Sequence, residues 1–258
     1  MPELPDVEKF RNYMEEYAMR KKIHDADFTD TDLLEVPARK LRKSVCGKSF
    51  TSTRRHGKYL FSKLSNGPWL VFHFGMTGYF CYSDTIDSES ERKFFKAILY
   101  FAGGTAFAYI NKRRLGRIDL TSDIEQYVSG KGLGADALTV DKKTFLSLMR
   151  EKRGSAKSAL MDQSTIAGIG NIYADEILFQ AGIYPKADMA EMDDKKLASL
   201  YRSTGDVLKT ALDKNGETED LPDNFLIPHR NEDEGCPRCS ENIRKLKISG
   251  RTGYFCPN

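Results

Sequence analysis

Two textures divide this chain. Up to residue 110 it runs in short stretches rich in aromatic and β-branched residues: Lys58 to Leu64, Trp69 to Phe74, Tyr79 to Tyr82, Phe94 to Phe101 and Thr105 to Ile110. Asn66-Gly67-Pro68, Gly75, an acidic stretch from Asp84 to Glu91 and Gly103-Gly104 lie between them, as turn residues lie between strands. From Asp141 to Lys214 the apolar residues recur instead at spacings of three and four, as in Phe145, Leu148 and Met149, or Leu197, Leu200 and Tyr201, which is the helical period. Runs of strands followed by runs of helices indicate an α+β, multidomain chain. The expectation is an N-terminal β-sandwich, preceded by an amphipathic helix from Pro5 to about Lys21, and then a helical domain. The change of texture falls at Gly130 to Ala135.

The C-terminal end carries a third element. Cys236-Pro237-Arg238-Cys239 is followed sixteen residues later by Cys256-Pro257-Asn258. That spacing fits the four-cysteine zinc pattern, in which each C-x2-C knuckle supplies two thiolates to a tetrahedral ion. The pattern places its fourth cysteine at position 259, just past Asn258, so either the ligand set is Cys236, Cys239, Cys256 and a cysteine beyond the given sequence, which is the reading favoured, or zinc lacks a fourth protein ligand. The intervening Ile243 to Phe255 alternates around Ser249-Gly250 and reads as a β-hairpin, too small to bury a core without metal. Arg251 sits beside its tip. Asn215 to Gly235, acidic and punctuated by two prolines and two glycines, reads as a linker. The resulting division is 1–133, 134–220 and 221–258. Cys46 and Cys81 lie in segments that read as strand or strand edge, where a small buried hydrophobe is the default.

Charge is unevenly placed although the net formal charge is only +3. Nine basic residues and no acid fall between Val36 and Lys63, and further clusters lie at Lys112-Arg113-Arg114 with Arg117 and at Lys142 to Lys157. Acids gather at Asp25 to Glu35, Asp84 to Glu91, Asp188 to Asp194 and Glu217 to Glu234. Such segregation suits a polyanionic partner. No apolar run approaches the ~18–20 residues a membrane span needs, and the N-terminus lacks a basic-then-apolar signal. A cytoplasmic protein is expected.

Several short motifs can carry chemistry. Ile166-Ala167-Gly168-Ile169-Gly170-Asn171 reads as a glycine turn entering a helix that runs through Gln180, with Asn171 as N-cap. Such a turn presents backbone N–H groups and the positive dipole end to an anion, with Arg153 and Lys157 nearby in sequence to grip a phosphate. Arg54-Arg55-His56-Gly57-Lys58 precedes a strand. Met76 and Leu115 are apolar residues in expected loops beside basic ones, a pattern that packs locally or in the core or, on a DNA-binding protein, inserts into the base stack. His73 reads as a satisfied core histidine. Finally, Met1-Pro2-Glu3-Leu4-Pro5-Asp6-Val7-Glu8 serves as a helix start, which explains Pro5, Asp6 and Glu8 but not Pro2 or Glu3. Removal of Met1 makes Pro2 a terminal secondary amine. A terminal amine is partly unprotonated near neutrality and able to attack carbon to give an iminium.

Taken in order, these pieces resemble the formamidopyrimidine-DNA glycosylase / endonuclease VIII family of base-excision repair enzymes. The resemblance runs over Pro2 to Glu8, His56-Gly57-Lys58, His73 to Gly78, Arg113-Arg114-Leu115-Gly116, Gly168 to Tyr173 and the C-terminal hairpin with Arg251. It implies a β-sandwich flanked by helices, a helix-two-turn-helix domain and a zinc-finger hairpin, with damaged double-stranded DNA in the cleft between them and a monomeric enzyme. It also implies the chemistry. Pro2 attacks C1′ of a flipped nucleotide, Glu3 transfers protons and stabilises charge, and β- then δ-elimination cuts the strand. Lys58, Asn171 and Arg251 would grip phosphates, with Lys58 counted among the catalytic residues. Met76, Arg113 and Leu115 would fill the vacated space and contact the opposite base. Asp6 stands where the family usually has Glu, and Leu115 where it often has Phe, which trades stacking for wedging. The segment before the zinc hairpin is shorter than in members that clamp oxidised guanine, so the resemblance carries no lesion preference. Two other readings use the same features: a non-catalytic zinc-dependent DNA-binding protein, and a zinc-ribbon protein that binds structured RNA. The second leaves Pro2-Glu3 unexplained.

Overall fold

The computed structural model describes residues 1–29, 31–84 and 93–258. The acidic stretch from Asp84 to Glu91 lies, beyond Asp84 itself, outside the described residues. The chain divides into two compact units, one of residues 1–2 and 6–130, the other of residues 3–5 and 131–258.

The first unit is a β-sandwich. One sheet has the order β1-β6-β7-β5, built from Ile23–Asp27, Phe95–Phe101, Ala106–Asn111 and Gly78–Ser83. The other has the order β2-β3-β4-β8, built from Phe50–His56, Tyr59–Leu64, Trp69–His73 and Arg117–Thr121. All pairings are antiparallel. Leu60, Leu70 and Phe72 from one sheet share a core with Phe80, Leu99, Phe101 and Phe107 from the other. The rings of Phe72 and Phe80 meet edge-on with centroids 5.0 Å apart. Helix α1 (Leu4–Ala18) contributes Val7 and Met14 to the same core, and α2 (Ala38–Val45) contributes Leu41 and Val45. Helix α3 (Ile124–Gly130) covers Phe61 and Val71 on the outer face of the second sheet.

Three strands differ from expectation. Arg54-Arg55-His56 precedes a strand as expected, β3, but is itself the end of an unexpected one, β2, and β1 and β8 were not legible at all. All three lie at sheet edges, where charged side chains replace an apolar face and block edge-to-edge pairing. Cys46 lies just after α2 and Cys81 in β5, and both are half-buried rather than core residues.

The second unit is helical. Helix α4 (Lys142–Arg150) is capped by Asp141, whose carboxylate accepts from Thr144 N at 3.0 Å. Helix α5 (Ala156–Met161) is capped by Ser155 and α7 (Asp194–Asp213) by Asp193. Between them α6 (Asn171–Ala181) ends at Gly182, whose φ of 66° is the left-handed C-cap conformation glycine favours. Phe145, Met149, Leu160, Ile177, Leu178, Leu200 and Leu208 form its core, and Leu4 joins them. Two-residue strands β9 (Ala135–Asp136) and β10 (Ile166–Ala167) pair in parallel.

Asn215 to Gly235 is not a free linker. Leu221 and Phe225 are buried in the helical core, and Leu226 packs with Cys236 and Ile243. The acidic composition conceals three apolar anchors. Strands β11 (Arg244–Ile248) and β12 (Arg251–Phe255) form the expected hairpin. Ser249 and Gly250 turn it with φ of 48° and 75°, the two-residue connection that matches strand twist.

Candidate active site and nucleic-acid interface

The glycine turn before α6 is an anion site, and its anion is part of this chain. Gly170 N donates to Glu3 Oε2 at 2.6 Å, Ile172 N to Glu3 Oε1 at 2.8 Å and Tyr173 N to Glu3 Oε2 at 3.3 Å. The carboxylate thus takes up N–H groups the first helical turn leaves without partners, at the positive end of the dipole. Glycine is required twice. A Cβ on Gly170 would lie 2.6 Å from Glu3 Oε1, and one on Gly168, whose φ is +119°, would lie 2.7 Å from Leu4 Cδ1. Gln163 holds the turn by accepting from Gly168 N at 3.0 Å and donating to Ile169 O at 2.7 Å. Gly170, not Asn171, is the N-cap, because the side chain that satisfies the helix end comes from residue 3. Glu3 is 2% exposed, and Pro2 beside it is half-buried.

Lys58 sits in the two-residue turn joining β2 to β3 and is 8% exposed. Arg55 fixes that turn. Its Nη1 donates to Gly57 O at 3.0 Å, while its Nε donates to Glu8 Oε2 at 3.0 Å. Glu8 Oε1 also accepts from Arg11 Nε at 2.7 Å. Glu8 therefore does more than complement a helix dipole: it ties α1 to the hairpin that carries Lys58.

Met76 lies in the turn between β4 and β5, and Leu115 in the turn between β7 and β8. They are 37% and 47% exposed, two of the five exposed large hydrophobics among the described residues. Although far apart in sequence, the two turns touch through backbone, since a Cβ on Gly75 would overlap the Leu115 carbonyl and lie 2.6 Å from Gly116 N. Arg113 is exposed in the same loop, and its N–H donates to Thr77 Oγ1 at 3.0 Å. His73, half-buried, rests against the Tyr59 ring with centroids 4.7 Å apart.

Asn171 opens α6 with its side chain turned to the hairpin, where Nδ2 donates to Thr252 O at 2.9 Å. One amide hydrogen remains for another acceptor. Arg251 is exposed beside the turn, with Nη1 3.6 Å from Met161 Sδ. Lys157 departs from expectation. It does not face outward to grip a phosphate but is fully buried, with Nζ 2.6 Å from Asp175 Oδ1. Arg230 Nη2 lies 2.8 Å from Asp175 Oδ2, and Tyr254 N donates to the same oxygen at 3.0 Å. Burial pushes the Lys157 amine down, against the opposing pull of Asp175. This buried triad joins α5, α6, the segment before the hairpin and β12. Lys157 read as one of a basic cluster, and no local signal distinguished it or marked Asp175 as its partner.

The sulfurs of Cys236, Cys239 and Cys256 all lie within 4.8 Å of one another, and those of Cys239 and Cys256 are 3.4 Å apart. Three thiols converging in this way form a set that can bind a metal ion.

Comparison with known proteins gives these residues a context. Residues 1–118 match the family model described as the formamidopyrimidine-DNA glycosylase N-terminal domain, and residues 133–222 match the formamidopyrimidine-DNA glycosylase H2TH domain. A formamidopyrimidine-DNA glycosylase from Mycoplasma genitalium is 32% identical, over 100% of this chain and 95% of its own length. The chain belongs to the formamidopyrimidine-DNA glycosylase family.

A second glycosylase of this name, from Pelotomaculum thermopropionicum, is 31% identical over 100% of this chain and 98% of its own length. Among solved structures, the Lactococcus lactis glycosylase in complex with FAPY-dG-containing DNA superposes with a TM-score of 0.90 at 27% identity, covering 99% of this chain and 98% of the other. MutM in complex with DNA containing carbocyclic 8-oxo-G gives 0.89 at 28% identity, with the same coverage. The fold is therefore that of the formamidopyrimidine-DNA glycosylases: an N-terminal β domain, an H2TH domain and a C-terminal β-hairpin bearing a cysteine cluster. No helix among the described residues is long and apolar enough to cross a membrane.

Proposed function

We propose that this chain is a bifunctional base-excision repair enzyme, a DNA glycosylase for oxidised bases that is also an AP lyase. Its membership of the formamidopyrimidine-DNA glycosylase family supports the class. The observation that carries the chemistry is the Glu3 carboxylate, held by three backbone N–H groups of the α6 start directly beside Pro2.

With Met1 removed, the Pro2 nitrogen attacks C1′ of a nucleotide swung out of the duplex. The glycosidic bond breaks and the base leaves with a proton. Opening of the sugar ring leaves an iminium between Pro2 and C1′. That cation acidifies the C2′–H. Loss of this proton breaks the C3′–O bond by β-elimination, and a second elimination breaks the C5′–O bond. Glu3, one residue from the cation and fixed by its N–H partners, stabilises the positive charge and serves in proton transfer.

Lys58, Asn171 and Arg251 grip phosphates beside the lesion. The exposure of Arg251 and the spare Nδ2 hydrogen of Asn171 support this reading. Met76 and Leu115 wedge into the stack, and Arg113 contacts the opposite base. The domains are assigned as 1–133, 134–220 and 221–258, acting as an intracellular monomer. The break between compact units at residues 130 and 131 and the family model beginning at residue 133 support the first boundary.

Borohydride reduces an iminium to a stable amine. Protein whose intact mass verifies Pro2 as its terminus is expected to become covalently trapped on duplex containing an abasic site. Absence of the adduct under those conditions rules the mechanism out.

Cys236, Cys239 and Cys256 are assigned to a structural zinc ion. Sulfurs about 2.3 Å from tetrahedral zinc lie about 3.8 Å apart, close to the convergence seen here. Zinc would cross-link the knuckle to β12 and replace the core the hairpin lacks. One equivalent of zinc per chain is expected on metal analysis. Chelation is expected to abolish hydrogen-exchange protection in β11 and β12 while leaving that of β3, β4 and β7 intact. Unchanged protection would show that packing alone holds the hairpin.

A further inference from the structure

The two turns that carry Met76 and Leu115 are fastened together by a buried polar lock. Asn111 is fully buried at the end of β7, and its Nδ2 donates both to Phe74 O at 3.0 Å and to Tyr109 Oη at 2.8 Å. Tyr109, 1% exposed, passes its own hydrogen to His73 O at 3.0 Å. Burial pushes the Tyr109 phenol well above its ordinary pKa, so it stays a donor. The acceptors are the two residues at which β4 runs into the Met76 turn, and both donors lie on β7, which runs into the Leu115 turn. Gly116 closes the lock from the other side. At the place of its missing Cβ lie Tyr109 Oη, Asn111 Nδ2 at 2.5 Å and His73 O at 2.8 Å. Gly75 lets the Leu115 backbone press against the Met76 turn. Further out, Thr77 Oγ1 accepts from Arg113 N.

Two fully buried polar side chains in an aromatic core are costly unless each serves a partner. A plain core would use phenylalanine at position 109 and an apolar residue at 111. Here both spend their hydrogens on the carbonyls under one exposed turn while sitting under the other. We propose that Tyr109 and Asn111 are positioning residues that hold Met76 and Leu115 as one preformed wedge. The proposal rests on the reading of those two residues as the base-stack wedge. Inserting apolar side chains into a duplex requires unstacking of the neighbouring bases. Two independently mobile turns would each have to be ordered at that moment, whereas locked turns are ordered beforehand.

The lock should therefore matter only where a base stack must be opened. The experiment measures single-turnover cleavage at one abasic site, in duplex and in the same oligonucleotide single-stranded. It compares the unaltered protein, Tyr109→Phe, Asn111→Asp, Met76→Ala and Leu115→Ala. Tyr109→Phe keeps the ring and loses only the hydroxyl, and Asn111→Asp keeps the shape and loses the donor, so the fold should survive in at least one. Both are expected to cut duplex about tenfold more slowly and single strand within twofold of the unaltered rate, as are the two wedge variants. A 2-aminopurine beside the abasic site should show a correspondingly slower fluorescence rise in duplex. If the wedge variants lose duplex cleavage selectively and neither lock variant does, the lock proposal is overturned. Equal loss on both substrates would reduce Tyr109 and Asn111 to fold stability and overturn it as well. Should Met76→Ala and Leu115→Ala leave duplex cleavage unchanged, the wedge reading itself fails, an outcome visible without the lock variants.

Discussion

Glu3→Gln is expected to slow base excision by about 10²- to 10⁴-fold, the range that a positioned acid–base group contributes, while destabilising the helical unit by only about 1–3 kcal/mol. The substitution preserves shape and removes two things at once. It removes the negative charge that faces the cation forming on Pro2 and C1′. It also places an amide NH2 among backbone donors, since Gly170 N, Ile172 N and Tyr173 N all point at the carboxylate oxygens. Glutamine has one acceptor oxygen for three donors, so one of its oxygen sites becomes a donor facing a donor. The two consequences separate experimentally. Thermal unfolding reads the lost helix-end contacts. Single-turnover rates on a lesion duplex and on a preformed abasic duplex read the chemistry, and the lesion duplex should suffer more, because loss of the base is the step that develops charge without prior ring opening. If excision falls only in proportion to the fraction unfolded, Glu3 is a helix cap and nothing more. Glu3→Ala sharpens the point: it leaves the α6 donors to water without inserting a competing donor, and should stabilise relative to Gln while excising no faster.

What could be read from the residues alone follows a physical line. The central strands β3, β4, β6 and β7 carry aromatic and β-branched runs because both of their neighbours are strands and their faces are covered. The strands missed, β1, β2 and β8, are edges whose sequences IHDAD, FTSTRRH and RIDLT trade apolar faces for charge. The glycine turn was legible as an anion site because its local geometry is encoded by Gly168 and Gly170. Its anion was not legible, because Glu3 lies 167 residues away in sequence. Lys157 looked like part of a basic cluster because nothing local distinguishes a buried amine from a solvated one; only the carboxylate of Asp175, on another helix, does so. Composition misled over Asn215 to Gly235, where acidic residues outnumber the three apolar anchors that fix the segment. Met76 and Leu115 were singled out by their basic neighbours. The contact of their turns depends on glycines at 75 and 116 meeting the opposite turn, a pairing that spacing along the chain does not express.

Asp175→Ala is expected to be the most destabilising single substitution in the helical unit, costing about 3–5 kcal/mol, the penalty for breaking a buried ion pair by removing one partner. Both carboxylate oxygens are committed: one to Lys157 Nζ at 2.6 Å, the other to Arg230 at 2.8 Å and to Tyr254 N at 3.0 Å. Alanine would leave a fully buried ammonium and a mostly buried guanidinium facing each other, and an unpaired N–H in β12. For a chain of this size each kcal/mol shifts the melting temperature by about 2–4 °C, so a fall of roughly 6–20 °C is expected. Gly253 explains why the site cannot relax by drawing the hairpin inward, since a Cβ there would already lie 2.5 Å from Lys157 Nζ. The same residues suggest a repair. Adding Lys157→Met to Asp175→Ala removes the stranded ammonium and leaves only Arg230, whose side chain is 17% exposed and can turn toward water. The double variant should recover at least half of the lost stability. Recovery of nothing would mean that Asp175 acts through its hydrogen bond to β12 rather than through charge. The consequence for DNA binding follows from connectivity. Thr252 O accepts from Asn171, Tyr254 N is held by Asp175, and Arg251 begins the same strand, β12, next to Thr252. Loss of Asp175 frees the strand that presents Arg251 and the carbonyl that orients Asn171. Affinity for abasic duplex should therefore fall in the single variant even at temperatures where the rest of the chain is folded, and Lys157→Met should not restore it fully, because the Tyr254 N–H remains without its acceptor.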